Sequence, residues 1–265
     1  MGDTVTARVL AVLATFDAEH TELALTEIAR RAGLPLTTAH RLVGELAAWG
    51  ALERADDGRY RVGLRLWEVG ALAPRGLGLR ESAMPFLEDL VEVTRQNVQL
   101  AVLDGRDAVY VERLSGRGAV NVITRVGGRL PLHATGVGLV LLAHTPSERQ
   151  EQVLAGRLRR YTAKTLCRPD ELRRALADVR RTGVAVSNGQ IELISLSVAA
   201  PVYGPGGDVV AALSVVVPAE GSDARAYVPA VRAAARGISR ALTSRPGLAL
   251  AEGPARGNDH ADGRR

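Results

Sequence analysis

One short turn, Gly33-Leu34-Pro35, separates two stretches of helical periodicity, and a strand, Asp-Gly turn, strand pattern follows them; no other feature constrains the fold as much. In residues 36–49, Ala39, Leu42, Val43 and Leu46 fall at i, i+3, i+4 and i+7, one apolar stripe on a helix that Gly50 stops. The preceding helix is expected to start with Thr26 as N-cap, with Glu27 against the positive end of its dipole, and to stop at Gly33. Before it, Val5, Val9, Val12, Leu13 and Phe16 recur at helical spacing. After it, residues 51–54 and 59–62 read as strands around Asp56-Asp57-Gly58, a small wing. Two helices held at a fixed angle by a tight turn are what a winged helix-turn-helix requires.

With the stripe turned inward, the third helix leaves Thr37, Thr38, His40, Arg41 and Gly44 outside. Arg41 offers a forked donor set to a guanine edge or a phosphate, and the threonines and His40 offer single hydrogen bonds. Thr26 opens the neighbouring helix, and Arg59 and Arg61 on the wing would lie against flanking phosphate or the minor groove. The same pattern also suits a winged helix used for protein contacts, with its arginines on a solvated face. The net charge of +5 favours a nucleic-acid partner only weakly, because apart from Lys164 the basic residues are all arginine, as GC-rich codon usage produces.

Beyond the wing, helical patterning over 63–73 breaks at Pro74-Arg75-Gly76-Leu77-Gly78, where a domain boundary is placed. A helix over 79–95 then leads into a hairpin, 98–103 and 108–113, across Asp104-Gly105. Residues 120–124 read as a strand, 135–143 and 147–154 as helices, and Pro169 opens a helix ending near Gly183. Strands at 184–187, 196–203 and 209–217 and a helix over 226–242 complete an α+β chain. The expected organisation is a DNA-binding domain over 1–63, a linker helix over 64–78, a larger α+β domain over 79–245 and a disordered tail over 246–265.

A chain 46% hydrophobic and 24% charged can bury a real core. Cys167 is its only cysteine, so no internal disulfide framework forms. No basic-then-apolar leader opens the chain and no run of about 18 apolar residues occurs, so a cytoplasmic protein is expected. The histidines show no metal-ligand spacing, and Gly76-Leu77-Gly78 lacks the third glycine and the preceding strand of a dinucleotide fingerprint. No catalytic residue, metal or cofactor is expected; the second reading is an α/β small-molecule enzyme with an appended winged helix.

The segments Leu25-Thr26-Glu27-Ile28-Ala29, Thr37-Thr38-Ala39-His40-Arg41-Leu42 and Gly58-Arg59-Tyr60-Arg61-Val62-Gly63 resemble the DNA-binding half of the IclR family of bacterial regulators. The resemblance continues through Val98-Gln99-Leu100-Ala101-Val102-Leu103-Asp104-Gly105, Gly128 to Gly136, Arg160-Tyr161-Thr162 and Ala199-Ala200-Pro201-Val202, and spans roughly Thr4 to Thr243. It implies a GAF-like effector domain on a curved antiparallel sheet, dimerisation through the N-terminal domain and linker helix, often a dimer of dimers, and palindromic operators.

From the residues themselves, Leu132 to Gly138 lead from an extended segment into a helix N-terminus, where free amides and glycines suit a small carboxylate. Gly136 and Gly138 would equally serve tight packing of helix on sheet. The resemblance makes Gly136, Val137, Ser187, Ser197 and Ser214 lining residues, with Val120, Leu132, Thr135 and Gln190 completing the set and Asn188 and Glu192 nearby. Ser187 stands where many relatives have Asp, Ser197 where many have Cys, and Leu139 where a lysine is common. Neutral hydroxyls and added apolar bulk point to an organic acid larger than the smallest keto acids, such as an aromatic one.

Overall fold

The apolar spacing near the start folds as helix α1 (Val5–Leu13), whose cap Thr4 accepts a hydrogen bond from the Ala7 amide at 3.1 Å. The computed structural model describes residues 4–17, 19–73 and 77–244, and the chain divides into two compact units between Ala73 and Pro74. In the first unit a short strand not expected from the sequence, β1 (Glu22–Leu23), precedes α2 (Leu25–Ala32) and α3 (Leu36–Trp49). Gly33 and Gly50 end the two helices in the left-handed region, φ 67° and 87°, where a side chain would be strained. Thr26 is not the cap. The N-cap is Ala24, and its amide donates to Glu27 Oε2 at 2.8 Å, so a carboxylate reaching back from the first turn replaces a capping hydroxyl and moves the start forward.

The wing strands β2 (Leu52–Arg54) and β3 (Tyr60–Val62) pair antiparallel, and β1 adds to the free edge of β3. Val12, Leu23, Ile28, Leu42, Val43 and Leu52 form one buried cluster beneath α3. Asp17, between α1 and α2, is held by His20 and Arg31, and the hydrogen bond from His20 lowers its carboxyl to about 2. Helix α4 (Leu64–Ala71) closes the unit. Leu42→Ala empties the centre of this small core and is expected to cost about 2–5 kcal/mol. Thermal unfolding followed by circular dichroism would show it as a lower first transition, and an unchanged one would contradict the packing.

The second unit opens with α5 (Leu77–Thr94), which takes in Leu77 and Gly78, expected from the sequence to interrupt; Pro74, Arg75 and Gly76, like the tail over 246–265, lie outside the described residues. Strands β4 (Asn97–Asp104), β5 (Asp107–Ser115), β6 (Arg129–Pro131), β7 (Ala185–Asn188), β8 (Ser195–Tyr203) and β9 (Val209–Pro218) form one antiparallel sheet in the order β6-β5-β4-β9-β8-β7. Alternation along these strands feeds two cores. On one face Val98, Leu100, Val198, Leu213 and Val215 pack against α5 and α9 (Ala224–Thr243). On the other, Ala101, Tyr110, Ala199 and Ala212 cluster with residues of α6 (Gly136–Ala143), α7 (Ser147–Leu154) and α8 (Pro169–Thr182).

Residues 120–124 are not a strand. Their backbone is gripped by side chains instead: Asn97 Nδ2 donates to the Val120 carbonyl and Arg113 Nη1 to the Thr124 carbonyl, each at 2.7 Å, while Gln99 Nε2 reaches Thr124 Oγ1 at 2.5 Å. The edge of β5 beside them is taken by Gly127, Gly128 and β6.

Candidate nucleic-acid interface and ligand cavity

The inward stripe of α3 is buried at Ala39, Leu42 and Val43, which leaves Thr37, His40, Arg41 and Gly44 exposed and Thr38 half-buried. Arg41 Nη1 lies 2.6 Å from Glu45 Oε1, both side chains more than half exposed. Such a pair one turn apart contributes only about 0.3–0.5 kcal/mol, so the guanidinium can leave it for a phosphate or a base at little cost. Thr26 is exposed on the first turn of α2. The wing arginines are more engaged than the sequence suggests. Arg61 pairs at 3.1 Å with Glu53, its cross-strand neighbour, and Arg59 lies 3.7 Å from Asp57 and 3.9 Å from Glu27.

In the second unit a partly open cavity lies on the sheet face that carries α6. Gln99, Tyr110, Ser187, Ser197 and Val216 form its floor, each from a different strand. At one end Thr135 caps α6, its Oγ1 accepting from the Gly138 amide at 3.0 Å, so the first-turn amides of Gly136 and Val137, both lining residues, have no acceptor within the helix. Tyr110 bonds the Thr135 side chain, and burial raises its phenol well above the ordinary range. The outer wall is irregular chain: Val122, Ile123 and Thr124 on one side, Ile191 and Glu192 on the other, joined where the Ile123 amide donates to Glu192 Oε2 at 3.2 Å.

Of the residues expected to line a site, Thr135, Gly136, Val137, Ser187 and Ser197 do so. Four do not. Val120 meets the site only through its neighbours, its carbonyl spent on Asn97. Leu132 packs into the hydrophobic cluster around α6, and so does Leu139, which adds no bulk to the lining. The Gln190 carbonyl accepts from Thr165 Oγ1, and its side-chain Oε1 is buried without a partner. Ser214 is wholly buried, opposite Gln99 and Ala199 in the sheet, its Oγ likewise unpartnered. Not expected from the sequence were Gln99, Tyr110, Val122, Ile123, Thr124, Leu130, Ala134, Ile191, Ser195 and Val216. The available signal was Gln99, the one polar residue in the run 98–103.

The two glycines of α6 divide the roles proposed for them. A Cβ on Gly138 would sit 2.4 Å from the Leu132 carbonyl oxygen, so this position serves packing, whereas a Cβ on Gly136 would meet Ser197 Oγ at 2.7 Å on the cavity floor. His133 is structural: its Nε2 contacts the Arg159 carbonyl at 2.9 Å, and burial lowers its pKa. No cluster of three or more metal-ligating side chains exists among the described residues.

The first unit's fold and its exposed third helix define a winged helix-turn-helix transcriptional regulator. Residues 5–56 match the IclR helix-turn-helix domain and residues 73–240 the bacterial transcriptional regulator IclR C-terminal domain. The chain belongs to the IclR family. It is 35% identical over 209 residues to the HTH-type transcriptional regulator XynR of Escherichia coli K12, covering 78% of this chain and 83% of XynR. It is 30% identical over 200 residues to the transcriptional repressor IclR of the same organism, covering 74% and 73%. Among solved structures, an IclR homolog from Microbacterium hydrocarbonoxydans complexed with 4-hydroxybenzoate matches with a TM-score of 0.86 at 41% identity, over 91% of this chain and all of that one.

Proposed function

We propose that the chain is a cytoplasmic repressor that binds a palindromic operator as a homodimer and is controlled by a small aromatic acid held in the cavity. Residues 1–63 read the DNA, 64–78 link and dimerise, and 79–245 bind the effector. The observation that carries the reading is the cavity itself, floored by neutral polar groups and headed by the two amides that start α6. The 4-hydroxybenzoate complex of the 41% identical homolog supports an aromatic acid as ligand.

Dimerisation is supported by apolar side chains left uncovered on the first unit: Leu64, Trp67, Val69 and Leu72 on and just after α4, with Trp67 64% and Leu72 80% exposed. A monomer rarely shows such a stripe to water. A two-fold dimer presents two copies of α3 to successive major grooves, hence a palindromic site, and a dimer of dimers extends it. No helix among the described residues is long and apolar enough to cross a membrane.

The test is footprinting on the DNA upstream of the protein's own gene at fixed moderate salt, with and without 4-hydroxybenzoate and related acids. A discrete, two-fold symmetric protected site that an aromatic acid weakens is expected. Absence of any footprint would overturn the proposal.

A further inference from the structure

The cavity's lining is chemically lopsided. Among the described residues that line it, Glu192 is the only carboxylate, and no arginine, lysine or histidine accompanies it. One candidate cation, Arg113, sits opposite Gln99 in the sheet but outside the lining, with Nη1 spent on the Thr124 carbonyl, Nη2 on Asn97 Oδ1 and Nε buried without a partner. Lys164 approaches the backbone of Gly189, in the same irregular segment as Glu192, and does not line the cavity either. The carboxylate itself is pinned by one hydrogen bond, from the Ile123 amide at 3.2 Å, across the half-exposed outer wall.

We infer that Glu192 is a charge filter at the outer wall, which restricts the cavity to monoanionic acids whose remote end is neutral and rejects dicarboxylates of the same size. This rests on the acid-binding reading proposed above. A ligand carboxylate at the amides of Gly136 and Val137 finds favourable dipoles, whereas a second carboxylate directed at the outer wall meets a fixed like charge. Like-charge juxtaposition is how a binding site excludes a near-isostere that shape alone would admit.

The experiment compares two para-substituted benzoates that differ in charge and hardly in shape: 4-carbamoylbenzoate, neutral at its far end, and terephthalate, anionic at both. Affinities are measured by calorimetry on the full chain and on Glu192→Gln, which keeps an oxygen for the Ile123 amide and removes the charge. The full chain is expected to prefer 4-carbamoylbenzoate by about tenfold or more, and Glu192→Gln to bring the two affinities within about threefold, mainly by improving terephthalate. Equal affinities in the unaltered chain, or a preference that survives Glu192→Gln, overturn the filter and leave the acid pocket standing. Binding of neither acid to either protein overturns the pocket and the filter together.

Discussion

Gly136→Leu is expected to abolish the response to effector while operator binding persists. Gly136 lines the cavity at the start of α6, and even the first added carbon would stand 2.7 Å from Ser197 Oγ and 3.4 Å from the Ala199 Cβ. The remaining leucine carbons must then occupy ligand space or displace the floor, and they shield the amide that would meet a carboxylate. Overpacking of this kind costs about 1–3 kcal/mol of stability, tolerable for the second unit. The loss of ligand affinity should be on the order of a hundredfold or more, since both the space and the anion's donors are compromised. Calorimetry with 4-hydroxybenzoate reads this directly. Wild-type affinity in the variant would refute the assignment of the cavity. Gly136→Ala, which displaces the rotatable Ser197 hydroxyl and presses on the Ser197 Cβ at 3.3 Å, should fall between.

The second large effect is expected from Arg41→Ala, which should remove specific operator binding and leave the fold intact. The side chain is 55% exposed and its one ion pair, to Glu45, is worth little, so stability is nearly indifferent to its loss. On DNA the same group is expected to supply either a bidentate base contact or a phosphate anchor, worth about 1–3 kcal/mol per half-site. The proposed symmetric dimer would lose it twice, so a decrease of roughly a hundredfold or more is expected in a mobility shift at fixed salt. Glu45→Gln is the informative companion: freeing Arg41 should leave affinity equal or higher. Unchanged binding by Arg41→Ala would remove α3 from its assigned role.

The two predictions differ in how readily the sequence yielded them. The bounds of α3 and of α7 were readable to the residue, because Pro precedes each first turn and Gly follows each last one, with apolar periodicity in α3 besides. The amide-bearing start of α6 was readable too, since Thr135 and the two glycines signal a capped, closely approached helix end. Residues 120–124 were not. Val120, Val122 and Thr124 alternate as a strand should, but Asn97, Gln99 and Arg113, distant in sequence, bind that segment through side chains and leave no partner strand for it. Ser214 shows a subtler limit. It stands beside Gln99, which lines the cavity, yet it is too deep to join that lining, because depth depends on the neighbours of a strand and not on its own alternation. The misplaced cap of α2 has a local cause: Thr26 looks like a capping residue, but Glu27 supplies the acceptor from within the helix.

Because the sheet keeps its greasy layers on both sides of β4, β8 and β9 while the outward rim of the cavity is loop held by a few polar tethers, taste and toughness are assigned to different residues. Descendants of such a gene can exchange Ile123, Ile191 or Glu192 and meet new metabolites without risking collapse of the scaffold. A laboratory library aimed at reprogramming the sensor should therefore be confined to those rim positions.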